Sequence, residues 1–440
     1  MMQYQLLFCV IVFVGFYLFW NKRINLIKQH CILLLLSIVF YCILNVYFIP
    51  ILPIIIYVNY FFGKKIEQDI NSNYYLRLGL LFNVLLVIIS KVIHFNFYGF
   101  SFENFYLLGI LFLPLRSIAY LLDIKRKNVK AEQNIILFSV FILFFPFYIL
   151  GPIITAKKSF LKLNQKQQFN RIIIVDGFRQ ILWGSFKVFV IAANSAIISN
   201  QVFGSLTKQT PIDLGLGILF FTFQIYGYLS GYNDIALGIC KLFGFRFKAN
   251  FKSLFLLLSS HRFWNNWYIS LHRWFVYYIV LPIVKFNCKT SKNILAVVLS
   301  FLISGLLFIP SYNFIYFILI NSIIVLGLNC YKINRNTLFF KVIRVMINIS
   351  IILFNVLLIK SDSFQIFLTC INKLIDYANY GFPHLNKNAL AVLFLLIFLI
   401  LMEWFGKLNQ HALEKFLLKS TFWLRWSFYS LLIMLIILFN

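Results

Sequence analysis

Acidic side chains are scarce in this chain. Its 440 residues hold 12 Asp+Glu against 40 Lys+Arg, and charged residues make up only 12%. A soluble domain carries about 25% charged residues. A chain this poor in charge cannot cover its own surface in water, which excludes a soluble enzyme and a disordered protein. Paired cysteines are also missing. Cys9, Cys31, Cys42, Cys240, Cys288, Cys330 and Cys370 are scattered through apolar stretches with no C-x-x-C spacing. That pattern argues against a disulfide or zinc framework and fits small buried apolar residues. No metal and no bound cofactor is expected. Internal repeats and low-complexity linkers are absent too, which argues against a transporter built from paired repeats. What remains is apolar: 62% of residues are hydrophobic, 20% are aromatic, and mean hydropathy is +0.87. The fold class is therefore an all-α polytopic membrane protein.

The net charge of +28 would suggest nucleic acid in a soluble chain. Here the basic residues fall between apolar runs, at Lys22-Arg23, Lys64-Lys65, Lys125-Arg126-Lys127 and Lys157-Lys158. They read as topology determinants, so the partner is the lipid bilayer and not nucleic acid. Basic residues follow the first apolar run, Gln5 to Trp20, and none precedes it. An uncleaved first helix with its N-terminus outside is expected. The next run, Cys31 to Phe62, is too long for one span and is interrupted by Asn45 and Pro50, which predicts a hairpin. Further apolar segments lie near 134–154, 172–200, 213–243, 266–284, 294–330, 340–359, 389–404 and 422–439. Spans, bends and re-entrant pieces together come to about 11 to 13 segments. The polar stretches 157–171 and 244–266 read as amphipathic or re-entrant elements. The whole of 1–440 is expected to be a single membrane domain.

Polar groups at membrane depth are functional candidates by default. The densest set runs from Gln224 to Phe275. It includes Gln224, Tyr232 and Asp234, the last of which needs a cation or hydrogen-bond donors beside it. It continues with three Trp and two His within 261–275, at His261, Trp264, Trp267, His272 and Trp274. Helical spacing would place Trp264, Trp267, Tyr268 and Leu271 on one face.

These residues resemble the membrane-bound O-acyltransferase family, most closely its bacterial branch that acetylates alginate or transfers D-alanine to teichoic acid. Phe263-Trp264-Asn265-Asn266-Trp267-Tyr268-Ile269-Ser270-Leu271 is similar to the signature F-W-R-R-W-H-I-S-L of that branch, and Trp274-Phe275 continues the match. In the same order, Ser117 to Asp123, Phe144-Phe145-Pro146, Gly151-Pro152-Ile153, Phe186-Lys187, Ser230-Gly231-Tyr232-Asn233-Asp234 and Ser304-Gly305-Leu306 resemble other family segments. The resemblance is strongest over 30–330. It implies helices around a central funnel, with an acyl-CoA or acyl carrier protein as donor and a cell-envelope polysaccharide or polymer as acceptor. It also implies an envelope-modification partner and the bacterial inner (cytoplasmic) membrane. Gln224, Tyr232, Asp234, Trp264, Trp267 and Trp274 would form the binding and structural core.

The resemblance breaks where the chemistry should be. The two family histidines align with Tyr268 and Phe308, and neither side chain takes up a proton at neutral pH. Asn265 and Asn266 stand at paired-arginine positions, Val276 and Tyr277 at an arginine and an aspartate, and Tyr228 at another aspartate. His272, one helical turn after Tyr268, is the candidate compensating base; His384 is a more distant one. Two readings follow. One is an O-acyltransferase with a degenerate or relocated site. The other is a non-catalytic relative that binds an acyl donor or lipid, or serves as a partner subunit.

Overall fold

A computed structural model of the chain describes residues 2–21, 24–44, 49–68, 71–98, 108–148, 150–251, 266–283, 298–299, 302, 314–330, 338–361, 363–376, 387–416 and 421–439. Helices account for all regular structure among them, and no strand occurs. Among the described residues six helices are long and apolar enough to cross a membrane: Leu26–Ile43, Ser72–Ser90, Arg171–Gly204, Pro211–Leu242, Asn388–Phe405 and Phe422–Phe439. Shorter apolar helices accompany them, among them Ile135–Tyr148, Ile269–Ile283 and Phe364–Ile375. Phe394, Trp423 and Ile437 are each more than 70% exposed. Faces of this kind are stable against lipid and not against water. The chain is thus a polytopic helical membrane protein. It divides into two compact units, Met1–Ile181 with Tyr232–Lys248, and Leu182–Gly231 with Ala249–Asn440.

In the first unit the expected interruption near Asn45 and Pro50 is present. One helix ends at Leu44, and the next, Ile51–Glu67, has Pro50 at its N-cap and Lys64 and Lys65 in its last turn. Proline suits such a start because it has no N–H to leave unsatisfied. Helix ends then gather on one face of the unit. Lys125 Nζ donates to Ser72 Oγ at 2.6 Å, and the Tyr60 hydroxyl donates to the Gln133 carbonyl at 2.5 Å. The His30 ring meets the Leu163 carbonyl at 2.8 Å, and Trp20 Nε1 donates to the Leu242 carbonyl at 2.9 Å. The helix ends at Lys64-Lys65 and at Lys125 therefore lie together, as their placement between apolar runs predicts.

The polar stretch near 157 forms the amphipathic helix Ala156–Leu163. It buries Ala156, Ser159, Phe160 and Leu163 and exposes Lys157 and Lys158. Burial holds the Lys162 ammonium below the ordinary lysine value, and the Arg246 guanidinium adds to the depression. Lys162 donates to the Arg246 carbonyl and lies 4.5 Å from the Phe247 ring centroid.

Around Phe144-Phe145-Pro146 the apolar segment breaks into Ile135–Leu143 and Phe145–Tyr148, both deeply buried. Backbone groups freed at such a break need partners inside the protein, since lipid offers none. Three helices supply them. Arg116 Nη1 donates to the Phe141 and Ile142 carbonyls at 2.9 and 2.8 Å. Ser37 Oγ accepts the Phe145 N–H at 3.1 Å, and Asn233 Nδ2 donates to the Leu150 carbonyl at 3.0 Å.

In the second unit, asparagine amides do similar work between helices. Asn321 and Asn355 exchange reciprocal hydrogen bonds of 2.6 and 3.1 Å, joining Phe314–Cys330 to Leu338–Lys360. The Phe364–Ile375 helix was not anticipated. Gln365, Asn372 and Lys373 lower its hydropathy below that of a span, yet it buries Phe367 and Cys370, and Ser363 caps it.

Candidate functional site

The second unit holds a closed ring of four polar side chains inside its apolar helices. The Arg171–Gly204 helix passes through a π-helical turn at Phe186–Ala192 and presents Lys187 there. Single π-turns recur at functional sites. The Pro211–Leu242 helix supplies Tyr226 and Ser230, one turn apart, and the Lys387–Phe405 helix supplies Glu403. Lys187 Nζ lies 2.8 Å from Glu403 Oε1 and donates to Ser230 Oγ at 2.8 Å. The Tyr226 hydroxyl donates to Glu403, 2.5 Å from Oε1 and 2.6 Å from Oε2. The Ser230 side chain is also within hydrogen-bond reach of the Tyr226 hydroxyl. The Lys187 ammonium also sits 5.5 Å from the Tyr226 ring and 5.6 Å from that of Trp183.

Glycine permits the approach. A Cβ on Gly231 would lie 2.8 Å from the Gly184 carbonyl oxygen, and one on Gly227 would lie 2.9 Å from the Lys187 carbonyl oxygen. These two glycines, four residues apart, bring the helix carrying Tyr226 and Ser230 against the one carrying Lys187. The ion pair is nearly dry, with 5% of the Lys187 side chain and 11% of the Glu403 side chain exposed. An ion pair so buried is costly to form and needs every donor and lone pair satisfied. The ring supplies that satisfaction.

The signature segment adjoins the ring. The Trp267 ring centroid is 6.4 Å from that of Tyr226, and Phe251 packs edge-on to both Trp267 and Tyr268 at 5.4 Å. The expected helical face through Trp264, Trp267, Tyr268 and Leu271 is corrected here. The helix begins at Ile269, and Tyr268 precedes it with a left-handed backbone, φ +44°. Asn250 sets this start: its carbonyl accepts the Ile269 N–H at 2.8 Å, and its Oδ1 accepts the Ser270 N–H at 3.1 Å. Removing that side-chain cap with Asn250→Ala should cost about 1 kcal/mol. The loss should appear as faster amide exchange at Ser270 than at Trp274.

Tyr268 is 2% exposed and is built into the packing. His272 is half-buried, and its N–H bonds back to the Tyr268 carbonyl at 3.1 Å. Trp274 is buried, with its ring 5.5 Å from Tyr278. Gln224 is buried, and its Oε1 has no hydrogen-bond partner among the described residues. Phe308, Trp264, His261 and His384 lie outside the described residues. Tyr232 and Asp234 belong to the first unit. There Asp234 accepts from Gln180 Nε2 at 2.9 Å, and Lys241 pairs with Asp176 at 2.6 Å. Among the described residues no cluster of His, Cys, Asp or Glu is placed to hold a metal ion.

Sequence reasoning passed over Lys187, Tyr226 and Glu403 as site residues. A signal was present, because Glu403 is the one charged side chain in the apolar run 389–404. An isolated carboxylate in a span marks a functional position.

Fold and site together define a polytopic helical membrane protein with an ionised cluster set among its spans. No family model matches the chain. Individual relatives do. It is 30% identical over 354 residues to the peptidoglycan O-acetyltransferase of Helicobacter pylori, covering 72% of this chain and 67% of that protein. It is 29% identical over 312 residues to the probable alginate O-acetylase of Pseudomonas fluorescens, covering 67% of this chain and 59% of that protein. With the teichoic acid D-alanyltransferase of Streptococcus thermophilus it shares 29% identity over 206 residues, 42% of this chain and 46% of that protein. The chain belongs to the membrane-bound O-acyltransferase family. It spans about six tenths of the length of the alginate O-acetylases it matches.

Proposed function

We propose that this protein is a membrane-bound O-acyltransferase that moves an acyl group onto a hydroxyl of a cell-envelope polysaccharide or polymer. The similarity to the Helicobacter pylori peptidoglycan O-acetyltransferase over 72% of the chain carries the reading. The ring of Lys187, Ser230, Tyr226 and Glu403 supports it, because charge at membrane depth is retained where it serves a site. The donor is a thioester, acyl-CoA or an acyl carrier protein, reaching the site from the cytoplasmic face through a funnel between the helices. The acceptor meets it from the outer face of the bacterial inner membrane, where a second envelope-modification protein acts on the same polymer.

A second reading has its own observation. Tyr268 is packed into the core at a family histidine position, and Phe308 stands at the other. A non-catalytic protein that binds an acyl donor or lipid, or serves as a partner subunit, would carry such replacements without loss. Labelled acetyl-CoA or acetylated acyl carrier protein, offered to membranes with and without this chain, separates the two. The transferase reading expects label in the envelope polymer fraction only where the chain is present. Folded protein with no incorporation from either donor would establish the second reading.

A further inference from the structure

We propose that Glu403 is the general base of acyl transfer in this chain and that Tyr226 relays the proton to it. The proposal rests on the transferase reading above. A hydroxyl attacking a thioester must lose its proton, and the group that takes it must stand within hydrogen-bond reach or one relay away. The family's two histidine positions hold Tyr268 and Phe308, so the proton acceptor lies elsewhere.

The ring has the parts that a relay needs. Glu403 is its one carboxylate, and the Tyr226 hydroxyl already points its proton at both carboxylate oxygens, 2.5 and 2.6 Å away. The Ser230 side chain is within hydrogen-bond reach of the same Tyr226 oxygen. An acceptor hydroxyl taking that place would donate to the same oxygen. Lys187 Nζ, 2.8 Å from Glu403 Oε1, holds the carboxylate in place against the Tyr226 hydroxyl. The Tyr226 ring packs on Trp267, the residue before Tyr268, so the relay ends one ring from the signature segment. Two other carboxylates of this unit are engaged locally: Asp213 bonds Thr210, and Glu414 accepts from the Gln410 backbone.

The step balances. The acceptor oxygen bonds to the thioester carbonyl carbon as its proton passes to Tyr226 Oη and the Tyr226 proton passes to Glu403. The carbon–sulfur bond then breaks, and the leaving sulfur takes the proton back from Glu403 through Tyr226. Ester and thiol are released, and the ring returns to its starting state.

The test measures kcat and donor KM for purified protein with labelled acetyl-CoA or acetylated acyl carrier protein and soluble envelope-polymer fragments. Tyr226→Phe removes one hydroxyl and keeps the ring packing. It should lower kcat by about 10²–10⁴-fold with donor KM unchanged. Glu403→Gln should lower kcat by a similar factor in the protein that stays folded, and should also cost stability because it leaves the Lys187 ammonium without its carboxylate. A purely structural ring would make Tyr226→Phe lose kcat, KM and folded fraction together. That result overturns the proposal, as does wild-type kcat in Tyr226→Phe. Loss of transfer in folded His272→Ala alongside an active Tyr226→Phe would also overturn it and assign the base to His272. In each of those cases the transferase reading survives. Wild-type protein that transfers from neither donor sinks both.

Discussion

Lys187→Met should destabilise the protein by about 3–5 kcal/mol, the cost of leaving one member of a buried ion pair without its partner. Two effects compete. Removing the ammonium relieves its own desolvation, which favours the variant. It also strands the Glu403 carboxylate in an apolar helix with only the Tyr226 hydroxyl to face. The second effect is the larger, because an uncompensated charge at membrane depth costs more than a paired one saves. The double variant Lys187→Met with Glu403→Met tests the account directly. It removes both charges at similar volume and should regain most of the lost stability, since a buried pair replaced by apolar residues is often near neutral. Unfolding midpoints in detergent for wild type, each single variant and the double variant form the cycle. A double variant as unstable as the worse single one would mean that packing of the long side chains, and not charge, holds this seam.

The elements that the sequence made legible are those set by local chemistry. Pro50 marked a helix start, and Lys64 and Lys65 marked the end of the same helix. Lys157 and Lys158 marked the exposed face of an amphipathic helix. Hydropathy placed the long spans because lipid leaves the backbone little choice but helix. Phe364–Ile375 escaped because a scan tuned to span length averages its buried Phe367 and Cys370 with exposed polar neighbours. The start of the Ile269–Phe275 helix escaped for a different reason. It is fixed by Asn250, a residue remote in sequence, and the continuous helical spacing through Trp264 and Trp267 gave no sign of it. The ring shows the same limit more sharply. Tyr226 and Glu403 are separated by 177 positions, and their contact is a fact of packing alone. Each was visible singly as a polar group in an apolar run; their partnership was not.

Arg116→Leu should have the second large effect, and its cause is backbone rather than charge. Arg116 is 2% exposed and donates through one nitrogen to the carbonyls of Phe141 and Ile142, where the Ile135–Leu143 helix stops. Those carbonyls have no next turn to accept from, and their neighbours are Phe rings and aliphatic chains. Each carbonyl left without a donor costs roughly 1–3 kcal/mol, so the pair costs about 2–6 kcal/mol. Burying a guanidinium is itself unfavourable, and its removal returns part of that. The balance still favours arginine, because its cation also lies 5.0 Å from the Phe147 ring and is stabilised there. Arg116→Lys separates charge from geometry. It keeps a cation, but the shorter, compact ammonium lacks the planar fork and its stacking on Phe147. It should therefore recover only part of the loss. Amide exchange along 141–148 should rise in Arg116→Leu well above its change along 171–181 of the Arg171–Ser185 helix. Full recovery in Arg116→Lys would show that the break needs only a positive charge. Uniform exchange across both helices would show that Arg116 holds the unit as a whole and not this break.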